Sequence, residues 1–215
     1  MFHSYVNECV ECIKKLAEEN GIIMNNGIEF FCGDGSIYTI ELFKQLTMMT
    51  GIDIAKEKGE RLKAKLGNSF SYINADSVQY VRETVGDEYD IVSIDNPLCL
   101  YGNDYCEHFE ILPYIHKFVK KSGYTIIAFD YVTVPYNEDK DYNCKWIERR
   151  KAYYKTSDYN IDTKFAEKFY SELLVKYNLN VVQIKSICRE TYHNRPYFYM
   201  MLCVVKGDMI NENSN

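Results

Sequence analysis

One stretch constrains this chain more than any other: Ile28-Glu-Phe-Phe-Cys-Gly33-Asp-Gly35-Ser-Ile. An apolar run ends in two glycines spaced by one residue, and a helix-like segment follows. A second apolar run, Thr50-Gly-Ile-Asp53, then ends in a carboxylate. The order reads as strand, tight turn, helix, strand. Glycines without Cβ let the backbone come close to a ligand. An acidic side chain at the end of the next strand is placed to accept from a ribose diol.

Length and charge narrow the class. The 215 residues fit one α/β domain. Hydrophobic residues make up 47%, enough for a sizeable core. The net charge of −6 argues against a general nucleic-acid binder, which needs a broad basic face. No apolar run has the length of a membrane span, and the start lacks the pattern of a secretory signal. The eight cysteines are scattered, several of them inside apolar runs, which suggests buried free thiols in a reducing cytoplasm. Cys9-Val-Glu-Cys12 has no second pair at metal-site spacing and falls in a helical pattern, so core-facing thiols are expected.

Periodicity predicts helices over residues 5–20, 36–48, 55–66, 77–85, 104–120 and 161–177. Strands are expected over 27–32, 49–54, 70–74, 89–95, 124–129, 179–187 and 197–205. Ser77 is expected to cap its helix. Phe165, Phe169 and Leu173 are expected to share one apolar face of theirs. The last two strands lack an intervening helix and should pair antiparallel. The expected fold class is a three-layer α/β/α sandwich on a seven-stranded, mostly parallel Rossmann-like sheet with an antiparallel last strand. Residues 1–207 are expected to form one domain, with 130–160 an insertion over the substrate and 208–215 a frayed tail.

The dinucleotide fingerprint requires a third glycine, and that position is Tyr38. The chain also lacks a phosphate-loop pattern. Glu29-Phe-Phe-Cys-Gly33-Asp-Gly35-Ser instead resembles the first motif of the class I S-adenosylmethionine (SAM)-dependent methyltransferases. Gly51-Ile-Asp53-Ile, Asn74-Ala-Asp76-Ser and Tyr89-Asp-Ile-Val-Ser-Ile-Asp95-Asn-Pro resemble the second, third and fourth, in order. The resemblance implies SAM as cofactor. It implies that the Gly33-Asp34-Gly35 turn cradles the methionine part, with Glu29 orienting the loop. It further implies that Asp53 takes the ribose, Ile54 presses on the adenine, and Asp76 with the Ser77 backbone takes the adenine amino group. Asp95 would lie near the methionine ammonium or the incoming acceptor. Core packing explains Ile54 as well, and turn capping is the alternative role for Asp53 and Asp76.

The acceptor should lie at the carboxyl ends of the fourth and fifth strands, where catalysis is mainly alignment. Asp95-Asn96-Pro97 partly resembles the Asp/Asn-Pro-Pro-Tyr/Phe motif of adenine amino-methylating enzymes, with Tyr101 available as the ring. Asp95 with Asp130 resembles the Mg²⁺ pair of catechol-type O-methyltransferases, but Tyr131 stands where that family has asparagine, and no metal is assigned. His108 is a candidate base or a packed histidine. Trp146, Arg150 and Tyr154 share one helical stripe of a locally basic stretch, which reads as an aromatic lid over the acceptor or as a helix packed on the body. The catalytic candidates are therefore Asp95, Asn96, His108 and Asp130. The substrate-side candidates are Pro97, Tyr101, Tyr131, Trp146 and Arg150. The expected function is methyl transfer to a small polar metabolite, sugar or peptide intermediate. The alternatives are a nucleic-acid amino-methyltransferase and a SAM-binding subunit without turnover. Nucleic-acid and membrane partners are not expected, and a homodimer is left open.

Overall fold

The computed structural model describes residues 2–95, 107–133, 148, 150–157, 160–192 and 195–207. The elements run α1 (Phe2–Glu19), β1 (Asn26–Phe30), α2 (Ile37–Phe43), β2 (Met48–Asp53), α3 (Lys56–Leu66), β3 (Phe70–Asn74), α4 (Ser77–Glu83) and β4 (Ile91–Ile94). They continue with α5 (Glu107–Ile111), a 3₁₀ segment (Leu112–Phe118), β5 (Gly123–Val132), α6 (Thr163–Lys176), β6 (Asn180–Tyr192) and β7 (Arg195–Gly207).

The strands form one sheet in the order β3-β2-β1-β4-β5-β7-β6. The first five pair in parallel, and β7 runs antiparallel to both β5 and β6. The order reverses between β1 and β4, so the chain leaves these two strands in opposite directions and opens a crevice at their carboxyl ends. In α/β sheets that is the ligand position.

Alternation along β5 shows why the sheet is covered on both sides. Ile126 and Ala128 pack with the Val6, Cys9, Val10 and Ile13 stripe of α1, and with Tyr38 and Leu42 of α2. Ile127, Phe129 and Tyr131 face the opposite layer, with Val81, Leu112, Ile115 and Tyr170. This period of two sends Asp130 to the α1 side and Tyr131 to the other.

Four expectations change in detail. The helix expected over 104–120 is split within its described part, because Pro113 has no N–H to continue an α-helical ladder and the chain tightens to 3₁₀. The cap of α4 is Asp76, which accepts from the Gln79 N–H at 2.8 Å, and Ser77 is drawn inward instead. The buried face of α6 is Ala166, Tyr170 and Leu174, one residue along from the expected stripe, and Phe165 is 38% exposed. The final hairpin is longer than expected because β6 continues beyond Ile187 to Tyr192. Cys9, Cys12, Cys32, Cys188 and Cys203 are free thiols.

Candidate active site

The Gly-rich turn is built by three neighbours. β1 stops at Phe30, and Phe31 takes a left-handed φ of 63°, rare for a bulky residue and typical of a functional turn. The Phe31 N–H donates to the Ser77 hydroxyl at 3.1 Å, and that hydroxyl donates to the Ile52 carbonyl at 3.3 Å. Ser77 thus staples the ends of β1 and β2 together from below. Gly33 and Gly35 follow with φ of 52° and 82°, conformations that favour glycine. A Cβ on Gly33 would meet nothing within 4 Å, so the backbone there faces open space.

Asp53 closes the turn from β2. Its Oδ2 accepts the Gly33 N–H at 2.9 Å, and its Oδ1 accepts the Ala55 N–H at 2.7 Å. A carboxylate has roughly four lone-pair positions, so each oxygen keeps one for a ligand. The Asp53 carbonyl accepts from Tyr72 Oη at 2.8 Å, and Asn74 Nδ2 donates to the Ile54 carbonyl at 2.9 Å, which fixes the β2–α3 loop. Ile54 is 68% exposed, so it is not a core residue. Asp76 is half-buried at the end of β3, and Asp34 is exposed with Arg61 at 3.8 Å.

Glu29 is fully buried, and its Oε1 accepts from the Thr39 hydroxyl at 2.7 Å. Thr39 in turn accepts from the Ser36 N–H at 3.1 Å, while the Thr39 N–H donates to Ser36 Oγ at 3.1 Å. This capping box starts α2 and ties Glu29 to the residue that follows Gly35. Burial, and then the Asp95 charge, push the Glu29 carboxyl well above its ordinary range.

At the end of β4, Asp95 Oδ2 accepts from Ser36 Oγ at 2.6 Å, and Oδ1 accepts from Arg189 Nη1 at 2.5 Å. The same Nη1 donates to Asp130 Oδ2. Asp95 and Asp130 therefore meet, as their pairing in the sequence reading requires, but a guanidinium lies between them. Among the described residues no cluster of three or more histidine, cysteine or carboxylate side chains has the arrangement of a metal site. Burial raises the Asp95 pKa, but the Arg189 charge and hydrogen bond outweigh it and hold the group at about 2. Asp130 is pushed the other way, by burial first. Arg189 lies beyond the expected end of its strand, so the sequence reading misses it. Ser36 and Thr39 are also missed, although Ser-x-x-Thr before an apolar run is a visible capping signal.

The remaining candidates divide. His108 is 5% exposed, with Nε2 at 2.7 Å from the Tyr170 hydroxyl, which lies 2.6 Å from the Tyr154 hydroxyl. Its ring stacks on Phe129 with centroids 5.5 Å apart, which is the packed-histidine arrangement. Tyr131 is fully buried and donates to Ser186 Oγ at 2.8 Å, so the expected substrate-side position is replaced by a core one. Arg150 is corrected in the same way: it is 2% exposed and donates to the carbonyls of Val132 and Thr133, which end β5. Asn96, Pro97, Tyr101 and Trp146 lie outside the described residues. A surface groove of about 520 Å³ beside α6, lined by Tyr153, Tyr154, Phe165, Phe169 and Lys176 among others, includes none of Glu29, Gly33, Asp53, Asp95 and Asp130.

The His108 environment carries a pH prediction. Burial, then the Arg150 charge, lower its pKa to about 3 from 6.5. The unfolded chain takes up the proton near 6.5 and the folded one does not. Stability from the neutral imidazole is thus complete above 6.5 and lost as pH falls toward 3, about 2 kcal/mol of it by pH 5. The difference in unfolding free energy between pH 7 and pH 5 should therefore shrink by about that amount in His108→Gln. Parallel curves for variant and parent from urea titrations would refute this.

No protein-family model and no curated protein sequence matches the chain. Solved structures do match. The N-methyltransferase NodS from Bradyrhizobium japonicum WM9 aligns with a TM-score of 0.56 at 14% identity, covering 95% of this chain and 97% of that one. A SAM-dependent methyltransferase from Clostridium acetobutylicum ATCC 824 aligns with a TM-score of 0.57 at 12% identity, covering 93% and 90%. Magnesium protoporphyrin IX methyltransferase (ChlM) from Synechocystis PCC 6803, solved with bound S-adenosylhomocysteine (SAH), aligns with a TM-score of 0.54 at 14% identity, covering 93% and 82%. The chain has the class I SAM-dependent methyltransferase fold. Among the described residues no helix is long and apolar enough to cross a membrane.

Proposed function

We propose that this chain is a SAM-dependent methyltransferase whose acceptor is a small polar metabolite, sugar or peptide intermediate, bound at the carboxyl ends of β4 and β5. The observation that carries the reading is Asp53, aimed by two backbone N–H groups at the mouth of the switch-point crevice. The described residues fit the cofactor. Gly33 presents open backbone, Asp53 keeps acceptor capacity for a ribose diol, and exposed Ile54 offers an apolar face to a purine. Asp76 and the Ser77 N–H lie at the end of β3 for the adenine amino edge. When bound, the sulfonium supplies an electrophilic methyl carbon.

What the chain contributes is alignment. The Gly33–Gly35 turn and Asp53 hold one end of the cofactor. Ionised Asp95 accepts from a cationic ammonium or from the N–H or O–H of the acceptor. Buried Asp130 and Glu29 lie behind it. In-line displacement needs held geometry more than a strong base. His108 has no part in this reading, since its Nε2 is engaged by Tyr170.

The net charge of −6 supports a small acceptor over a polyanion. ChlM, which shares the fold, acts on magnesium protoporphyrin IX. A cytoplasmic setting is supported by the free thiols. The test is transfer of label from methyl-tritiated SAM to pooled small amines, amino acids and sugars, and separately to transfer RNA and DNA. Label on a small molecule, insensitive to salt, is expected. Label on nucleic acid alone, falling steeply with salt, would establish the amino-methyltransferase alternative instead. Tight SAM binding with no transfer to any pool would favour the non-catalytic subunit.

A further inference from the structure

Arg189 reaches the site because β6 is irregular. Cys188 pairs with Tyr199 and Glu190 with Phe198, so Arg189 is the extra residue of a bulge. Bulges re-aim side chains. Here the guanidinium is turned inward until the residue is 8% exposed. It lies over the Tyr38 ring at 4.8 Å and the Phe198 ring at 5.3 Å. Such a stacked, doubly bonded guanidinium is a fixed part of the site, not a swinging one. Tyr38 is the residue at the third-glycine position of the dinucleotide fingerprint. Its ring fills the space that a glycine there would leave, and the cation rests on it.

The charges do not balance. Among the described residues, three carboxyl groups gather around one guanidinium: Glu29 from β1, Asp95 from β4 and Asp130 from β5. Two buried oxygens, Glu29 Oε2 and Asp130 Oδ1, have no hydrogen-bond partner among the described residues. Tyr38 comes from α2. Cys9 comes from α1, a neutral thiol pushed up to about 12 by burial and by Asp130. A single fixed cation compensates a single carboxylate charge. Glu29 and Asp130 are fully buried and each leave an oxygen unpartnered, so they are the ones that take protons. Asp95 keeps 9% of its side chain exposed and has both oxygens satisfied, by Ser36 and Arg189.

We propose that Arg189 is a positioning residue: delivered by the β6 bulge, it fixes Asp95 as an ionised acceptor at the end of β4, facing a cationic or N–H group of the bound ligand. The inference rests on the methyltransferase reading for the ligand's identity, and on this structure alone for the charge. Arg189 itself touches neither cofactor nor acceptor. Its effect on binding passes through the protonation of Asp95.

The test is SAH affinity measured by calorimetry from pH 5 to pH 8 in the parent, Arg189→Lys and Arg189→Gln. The parent and the lysine variant should change less than about twofold across the range, because a cation is retained. The glutamine variant should lose about tenfold in affinity between pH 8 and pH 5, the loss expected when the Asp95 pKa comes to lie about one unit above the lower end of that window. A glutamine variant whose affinity is weaker but equally flat would overturn the proposal, since it shows a structural effect without a change of protonation. The ¹³C carboxyl shift of Asp95 in ligand-free protein gives a second reading. It should titrate above pH 5 in Arg189→Gln and stay ionised there in the parent; an Asp95 ionised at pH 5 in both sinks the idea. If the parent does not bind SAH, the cofactor reading fails and the carboxyl titration still decides the role of Arg189. If Arg189→Gln does not fold, the double variant with Asp130→Asn carries the same measurements, because it removes a buried ionisable carboxyl group together with the cation.

Discussion

Replacing Arg189 with methionine is expected to lower the unfolding free energy by about 3–5 kcal/mol, the range for removing one partner of a buried ion pair. The methionine keeps most of the length and packing of the stem. What disappears is the only charge among the described residues that compensates Asp95, together with the donor to Asp130. Asp95 would then be left with Ser36 as its single described donor, and Asp130 with none. Total stabilities of domains are about 5–15 kcal/mol, so the variant should be visibly marginal. Adding Asp130→Asn should return part of the loss, because an amide cannot ionise and offers N–H donors beside Asp95 in place of the lost guanidinium. The two substitutions should therefore be strongly non-additive, as residues sharing one network are. Urea titrations of the parent, both single variants and the double variant measure this. A loss below about 1 kcal/mol in Arg189→Met would place the pair among weak surface bridges and refute the account of the site.

That network also shows where sequence reasoning stops. The seven strands, the Gly33–Gly35 turn and the position of Asp53 are legible because each follows from local pattern: apolar runs, a Gly-rich turn, and a carboxylate ending the next strand. Asp95 is legible for the same reason. Arg189 is not. A bulge has no composition signal of its own, and the strand is expected to end at Ile187, two residues short of it. The direction of side chains is equally hard to read. Ser77 and Asp76 both have cap-forming oxygens, and only the closeness of Phe31 and Ile52 decides that Ser77 turns inward. On α6 two adjacent stripes are apolar, and the buried one is the stripe whose Tyr170 hydroxyl finds His108 and Tyr154. Arg150 and Tyr131 look like ligand groups by type, but their partners are the ends and undersides of strands, which depend on packing between distant segments.

The second large effect belongs to Asp53. Alanine there removes the acceptor for the ribose hydroxyls and frees the Gly33 and Ala55 N–H groups that it now anchors. Hydrogen bonds to a charged group are worth about 1.5–3 kcal/mol each, so losing two ligand bonds should weaken binding by about 100-fold or more. Asparagine keeps the shape and one acceptor oxygen, so Asp53→Asn should fall between. Because Tyr72 and Asn74 hold the loop through backbone carbonyls, both variants should keep the fold.

Calorimetric titration of SAH into the parent, Asp53→Asn and Asp53→Ala therefore tests the central claim most directly. Measurable binding to the parent, weaker to the asparagine variant and about 100-fold or more weaker to the alanine variant, is what this site predicts. Equal affinity in folded parent and alanine variant, or no binding to the folded parent, would contradict it.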